Sequence, residues 1–270
     1  MGEVLLEFRG GIAVVTLNRP ERLNALSAAM HEELKAAWGD VKGHEGLGAV
    51  VVTGSGRGFC VGMDLHQTAE RGQFRTHKSD RIADIQTMTA LNNDVWLPTI
   101  VAVNGVCAGG GLHFVADADV VLASEDATFV DPHVTVGQVS ALEPISLVAR
   151  IGLGKALRLA VLGRSGGIDA HEAHRIGLVD EVLAPEELFP RALEVAEAAT
   201  KGSPAAIEGT KRAIWASLGL ALGDALQGGW ETIVAHREHP DALEGPRAFA
   251  AKVDPKWTTS RSQSASEGKE

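Results

Sequence analysis

Apolar and polar positions follow two rhythms along the chain. Val4–Phe8 and Ile12–Leu17 read as short strands joined at Gly10-Gly11, a dipeptide suited to a tight hairpin turn. Apolar residues then recur at helical spacing over Ala28–Trp38, with Ser27 placed as N-cap. The runs GAVVVT (48–53) and TIVAV (99–103) are continuous, rich in β-branched residues and bounded by Gly or Pro, so both predict buried strands. Between them lie a polar stretch, Gln67–Ser79, and a helix predicted over Asp80–Trp96 that Pro98 stops. A further unit passes through Gly109-Gly110-Gly111 into a helix and a strand near Asp119–Ala123. The second half predicts helices at Lys155–Leu162, Ala170–Ile176, Pro185–Thr200, Pro204–Leu218 and Leu222–His236. Alternating strands and helices indicate an α/β core with a mainly parallel sheet, followed by a helical part. That helical end has little sheet to cover, which predicts packing on a neighbouring subunit. Thr258–Glu270 (TTSRSQSASEGKE) is polar and small, the pattern of a disordered tail.

Composition narrows the classes. With 270 residues and 45% apolar content, the chain can bury a large core, so disorder throughout is excluded. Twenty-five Lys and Arg against 35 Asp and Glu leave a net charge of −10, which disfavours nucleic acid as a partner. No apolar run reaches the roughly 18 residues of a membrane-spanning helix. The opening MGEVLLEFRGG has no basic segment followed by an apolar one, so no secretory signal is read and a cytoplasmic location is expected. Cys60 and Cys107 are too few for a disulfide framework and fit a reducing compartment, with apolar packing as their expected role. Tyrosine is absent, which removes every mechanism that uses one as acid or base.

Two glycine-rich segments could carry chemistry. GSGRGFCVGMDL (54–65) follows a predicted strand, and its glycines let backbone amides form a concave nest. An ordinary surface loop fits the same letters. NGVCAGGGLH (104–113) also follows a strand, and three glycines opening a helix leave free N–H groups that stabilise an anion, whether a phosphate or the oxyanion of an enolate or tetrahedral intermediate. Tight helix–sheet packing is the alternative there. Taken together, the two nests could make a two-donor oxyanion hole. Dinucleotide and P-loop fingerprints are missing, as is the G-x-S-x-G elbow of serine hydrolases. His171-Glu172-Ala173-His174 is one residue short of the zincin spacing, and His236 and His239 lack a third ligand nearby in sequence, so no metal is expected.

Specific segments then resemble a known family. NRPERLNALSAAMHEEL (18–34), GRGFCVGMDL (56–65), VNGVCAGGGL (103–112), GRSGGIDAHEAHRIGLVDEV (163–182) and HPDALEGPRAFAAK (239–252) are similar to the crotonase superfamily, the enoyl-CoA hydratase/isomerase family. The resemblance implies a crotonase-like spiral of β-β-α turns over 1–200, a helical C-terminal trimerisation region over 201–257 and a tail over 258–270. It also implies a homotrimer, or a hexamer built as a dimer of trimers. The substrate would be an acyl-CoA thioester, with coenzyme A entering as part of it and no separate cofactor. The oxyanion donors would be the amides of Met63 and Gly110. Residues around Arg22 and Ala25, together with Gly62, Asp64 and Leu65, would wall the CoA arm, and Lys252 would meet its phosphates, although Val253 stands where a further basic residue is usual.

The resemblance also exposes a departure. Hydratases of the family carry two glutamates that position one water, and the corresponding places here are His113 and His133. Imidazoles titrate near neutral pH, so two of them can serve as base and acid. The helix start opposes charge on His113, while Asp131 favours it on His133, with Pro132 lying between that pair. The plain alternative is that both rings line the acyl pocket. The nucleophilic or proton-transferring aspartate of other members falls at Ala141, which disfavours a dehalogenase, and Glu143 is a spare carboxylate that a shifted helix start would aim inward. Three functions follow as alternatives: a hydratase or isomerase using His113 and His133, an acyl-CoA-binding protein that has lost turnover, and a thioester hydrolase or decarboxylase.

Overall fold

The valine-rich runs lie side by side in one sheet. The structure is a computed structural model that describes residues 2–71 and 87–258. Its strands in chain order are β1 (Val4–Arg9), β2 (Ile12–Leu17), β3 (Ala49–Gly54), β4 (Gly58–Cys60) and β5 (Thr99–Val103). β6 (Val106–Ala108), β7 (Val120–Ser124), β8 (Thr128–Val130), β9 (Ile168–Asp169) and β10 (Glu181–Leu183) complete them. The larger sheet has the order β1-β2-β3-β5-β7-β10. Only the β1–β2 hairpin, turning at Gly10 with φ 59°, is antiparallel; every later pairing in this sheet is parallel.

Alternation along these strands builds two cores. Val15, Val52, Val101 and Val121 face one side, where they meet Leu34 and Trp38 of the helix Ala28–Gly43 together with Phe59 and Phe129. Val14, Val51, Ile100 and Leu122 face the other side, under Leu188, Ala192 and Ala196 of the helix Pro185–Ala199. A strand covered on both faces reads as a continuous apolar run, which is why these four were legible in the letters.

The smaller sheet, β4-β6-β8-β9, is made of three-residue and two-residue strands that no periodicity announces. β4, β6 and β8 directly follow β3, β5 and β7, so each turn of chain supplies one strand to each sheet. That is the crotonase spiral of β-β-α turns, and it accounts for the mixed α/β class.

Several expected elements are corrected. Of the helix expected over Asp80–Trp96, residues 80–86 lie outside the described residues. The described part is a single 3-10 turn, Leu91–Asn93, because the Asn93 amide donates to Thr87 O and Thr89 O and Asp94 turns left-handed at φ 56°. The stretch 67–79 is helical up to Arg71, within Leu65–Arg71, and beyond that lies outside the described residues, as does the tail from 259 on. The helix expected from Lys155 begins at Leu142; Gly152, at φ 74°, kinks it and hid its first half. A last helix, Asp241–Ala251, was concealed by Gly245 and Pro246 inside it.

The helices Pro204–Ser217 and Leu222–His236 form the helical end. The second buries no residue of its own, and Leu222, Leu226, Trp230 and Ile233 are exposed along it. Among the described residues, no helix is long and apolar enough to cross a membrane.

Candidate active site

Adjacent strands bring the two glycine loops together. β4 and β6 are parallel, with Cys60 opposite Cys107, so the chain leaves both strands at the same edge. Gly62, at φ 80°, turns the first loop, and Gly109, at φ 49°, turns the second. A methyl group on Gly62 would lie 2.7 Å from the Gly110 nitrogen, and one on Gly110 would lie 4.0 Å from the Met63 nitrogen. The amides of Met63 and Gly110 are therefore neighbours across the gap.

The first loop is held from behind. Leu26 N–H donates to Gly62 O at 2.8 Å and Asp64 N–H donates to Leu26 O at 3.2 Å, so the loop is pinned on both sides of Met63. Arg19 Nη1 donates to Ala25 O at 2.7 Å and to Asp64 Oδ2 at 3.1 Å. The other Asp64 oxygen accepts from the amides of His66 and Gln67, at 3.2 and 3.3 Å. Burial pushes the Asp64 carboxyl up, but these donors and Arg19 outweigh it and leave the group below the ordinary carboxylate range. Asp64 thus shapes the loop with the same carboxylate that sequence reasoning placed on the CoA wall.

The second loop runs through a 3-10 turn, Gly109–Gly111, into a helix of six residues, Leu112–Asp117. His113 sits in its first turn and is buried. Its Nε2 lies 3.3 Å from Oε1 of Glu143, in the first turn of the helix Leu142–Leu162. Facing this carboxylate, His113 is placed by a partner from another element as well as by its own short helix. Further along that helix, burial pushes the Asp117 carboxyl up while Thr89 donates to it at 2.6 Å.

His133 meets the same carboxylate from the other side, its Nε2 3.7 Å from Glu143 Oε1. Its Nδ1 lies 2.6 Å from Asp131 Oδ1, and Ser140 donates to Asp131 Oδ2. The hydrogen bond to Asp131 raises the His133 pKa above its ordinary value; burial opposes this and Glu143 adds to it. Burial pushes Asp131 up, but His133 and Ser140 hold it lower than usual. For Glu143 too, burial is outweighed by the hydrogen bond from His113 and the charges of both imidazoles, and the carboxyl stays below its ordinary range. The expected Asp131–His133 pair is present, while the convergence of both histidines on Glu143 was not foreseen.

A groove of about 760 Å³ opens beside this cluster. Arg22, Ala25, Met63, Asp64 and Leu65 line it together with Ala108, Pro132 and Val136, whereas Gly110, His113, His133 and Glu143 are not part of its lining. Arg57 and Arg164 also line it, and neither was singled out from the sequence; isolated arginines in loops carry no periodic signal. Lys252, by contrast, caps the helix Asp241–Ala251 in a left-handed conformation and does not line the groove. His174 is used by the fold, its Nδ1 3.0 Å from Val179 O. Both cysteines are buried, and burial pushes the Cys60 thiol up to about 12, as befits packing residues.

The family model described as enoyl-CoA hydratase/isomerase matches residues 7–260. The chain belongs to that family. It is 33% identical over 218 residues to the short-chain-enoyl-CoA hydratase of Clostridium acetobutylicum, covering 79% of this chain and 81% of that one. It is 31% identical over 258 residues to the mevalonyl-coenzyme A hydratase of Aspergillus fumigatus, covering 93% and 92% of the two chains. Among solved structures, an enoyl-CoA hydratase/isomerase from Mycobacterium paratuberculosis superposes with a TM-score of 0.85 at 34% identity, covering 96% of this chain and 99% of that one. Family membership makes this an enoyl-CoA hydratase/isomerase-like enzyme acting on acyl-CoA, and the converging glycine loops stand where its chemistry is to be sought.

Proposed function

We propose that the chain adds water across the double bond of a 2-enoyl-CoA thioester. The observation that carries this reading is the adjacency of the Met63 and Gly110 amides at the ends of parallel strands. Two fixed N–H donors on one thioester oxygen stabilise the enolate that forms when the β-carbon is attacked, and being preorganised they need no reorientation as charge develops. His133 and His113 stand next to that pocket, with His133, paired to Asp131, in the proton-donor role and His113 beside Glu143.

The CoA arm runs along the groove past Arg22, Ala25 and Leu65, with Gly62 and Asp64 shaping the loop beside it. Arg57 and Arg164 add positive charge to the same groove, and Lys252 stands apart from it at the C-terminal helix. Coenzyme A arrives as part of the substrate. The exposed stripe Leu222, Leu226, Trp230 and Ile233 supports a homotrimer, or two trimers paired as a hexamer. In this reading the spiral core runs to residue 200 and the helical oligomerisation region over 201–257.

Steady-state hydration of crotonyl-CoA and of longer and branched enoyl-CoAs, by the wild type and by His113→Ala and His133→Ala, tests the reading. Turnover that falls in both variants is expected. Undiminished turnover in both refutes the histidine roles. Tight thioester binding without turnover by the wild type replaces the reading with a binding protein, and release of free CoA or CO₂ replaces it with a hydrolase or decarboxylase.

A further inference from the structure

Hydration requires an acceptor for the proton that water gives up, and the imidazole nitrogens that His133 and His113 turn into the cluster all face carboxylates. His133 points Nδ1 at Asp131, 2.6 Å away, and Nε2 at Glu143, 3.7 Å away. A ring lying between two carboxylates is a donor at both nitrogens. His113 directs Nε2 at the same Glu143 oxygen from 3.3 Å. Each histidine thus offers a proton toward Glu143, and the carboxylate is the group with lone pairs to spare. Asp131 is already filled by the His133 ring, the His133 amide and the Ser140 hydroxyl. Asp117, at the end of the short helix that carries His113, accepts from the Thr89 hydroxyl.

We infer that Glu143 is the general base of this site, that His133 is its acid, and that His113 is a positioning residue that holds the Glu143 carboxylate. The inference rests on the hydratase reading above and assigns the roles within it. The gap of 3.7 Å between Glu143 Oε1 and His133 Nε2 is too long for a direct hydrogen bond, yet one water oxygen can be bonded to both ends. In the step, a water O–H bond breaks, its oxygen bonds to Cβ and its proton goes to Glu143. The C=C pair moves to Cα, where it takes the proton from His133 Nε2 as that N–H bond breaks. The products are the 3-hydroxyacyl thioester, a neutral Glu143 and a neutral His133. A single proton passing from Glu143 to His133 across the same gap restores the starting state. Placing this carboxylate required the helix to begin at Leu142, which puts Glu143 in its first turn with only 8% of its surface exposed.

The test uses the full chain with a panel of 2-enoyl-CoAs and measures kcat, KM and the pH profile of Glu143→Gln and Glu143→Asp. The groups facing Glu143 in that profile are His113, His133 and, through His133, Asp131. A general base of this kind contributes roughly 10²–10⁴-fold, so Glu143→Gln should lower kcat by that factor and abolish the acid limb that Glu143 sets, while KM stays near the wild-type value. Glu143→Asp should recover part of kcat and retain the limb. A Gln variant with wild-type kcat overturns the role of Glu143 and leaves the hydratase reading standing. Should the Gln variant not fold, the Asp variant decides, because wild-type kcat and an unshifted profile in it overturn the assignment equally. A wild-type protein that turns over no enoyl-CoA overturns the hydratase reading itself, and this inference with it.

Discussion

His133 Nδ1 lies 2.6 Å from Asp131 Oδ1 although Pro132 separates the two residues in sequence. Extended backbone would put the two side chains on one face, with the proline between them. The structure reaches the same end differently: Pro132, at φ −85° and ψ −2°, opens a 3-10 turn over His133–Val136, and the His133 amide also donates to Asp131, at 3.3 Å. The proline rigidifies the pair and its geometry survives. A buried anion beside the ring favours the imidazolium, the form a proton donor needs.

Asp131→Asn removes that anion. The His133 pKa should fall back toward its ordinary value, and the alkaline limb of kcat/KM should move to lower pH. Determining the pH–rate profile of both proteins checks this, and superimposable alkaline limbs would refute it.

The same pair carries a pH-dependent stability. His133 has a folded pKa above its ordinary 6.5, so its contribution is complete below that value and is lost as pH rises through the raised one. Asp131 has a folded pKa below its ordinary 3.8, so its contribution is complete above that value and is lost as pH falls through the lowered one. Denaturant unfolding should show the largest difference between wild type and Asp131→Asn in the interval between those two ordinary values, shrinking toward alkaline and strongly acid pH. A pH-independent difference would contradict the linkage.

Gly62→Ala should damage the oxyanion pocket directly. Its Cβ would press within 2.7 Å of the Gly110 nitrogen and 2.9 Å of Ala108 O, at a residue whose φ is 80°. Both loops must give way, so kcat should drop by at least about tenfold and the thermal midpoint should fall, since an alanine forced to positive φ destabilises by more than roughly 1 kcal/mol. Kinetics and calorimetry on the purified variant measure the two effects.

Arg19→Met should loosen the first loop from behind. The change removes the donor to Ala25 O and the partner of Asp64, and an unsatisfied buried acceptor costs roughly 1–3 kcal/mol. The expected result is a lower unfolding midpoint in denaturant together with a higher KM for enoyl-CoA. Retention of both values would remove Arg19 from any role in shaping the Met63 loop.

Leu226→Asp combined with Trp230→Asp should dissociate the proposed trimer or hexamer. Both side chains are more than half exposed on a helix that buries none of its residues in the single chain. Light scattering after size exclusion should report a trimer or hexamer for the wild type and a smaller species for the variant; a monomeric wild type would sink the trimer.

The letters of the chain carried the large sheet except its three-residue edge strand β10, because Val14, Val51, Ile100 and Leu122 and their alternating neighbours are buried on both faces, and a doubly buried strand is apolar at every position. They carried the two glycine loops because a turn at positive φ leaves a glycine behind, as at Gly62 and Gly109. They did not carry the smaller sheet, since β4, β6 and β8 have three residues each and periodicity needs more. Nor did they carry the start of the helix at Leu142, where Gly152 imitates a boundary.

The chemistry divides along the same line. Met63, Gly110, His113 and His133 stand out as residue types within short motifs, because backbone conformation and hydrogen-bonding capacity are local properties. The meeting of His113 and His133 on one oxygen of Glu143 depends on a short helix, a 3-10 turn and a long helix arriving within 3.3–3.7 Å of each other. Contacts of that kind are set by sheet register and by the angle at which a helix packs, and both are decided only when the whole core closes around them.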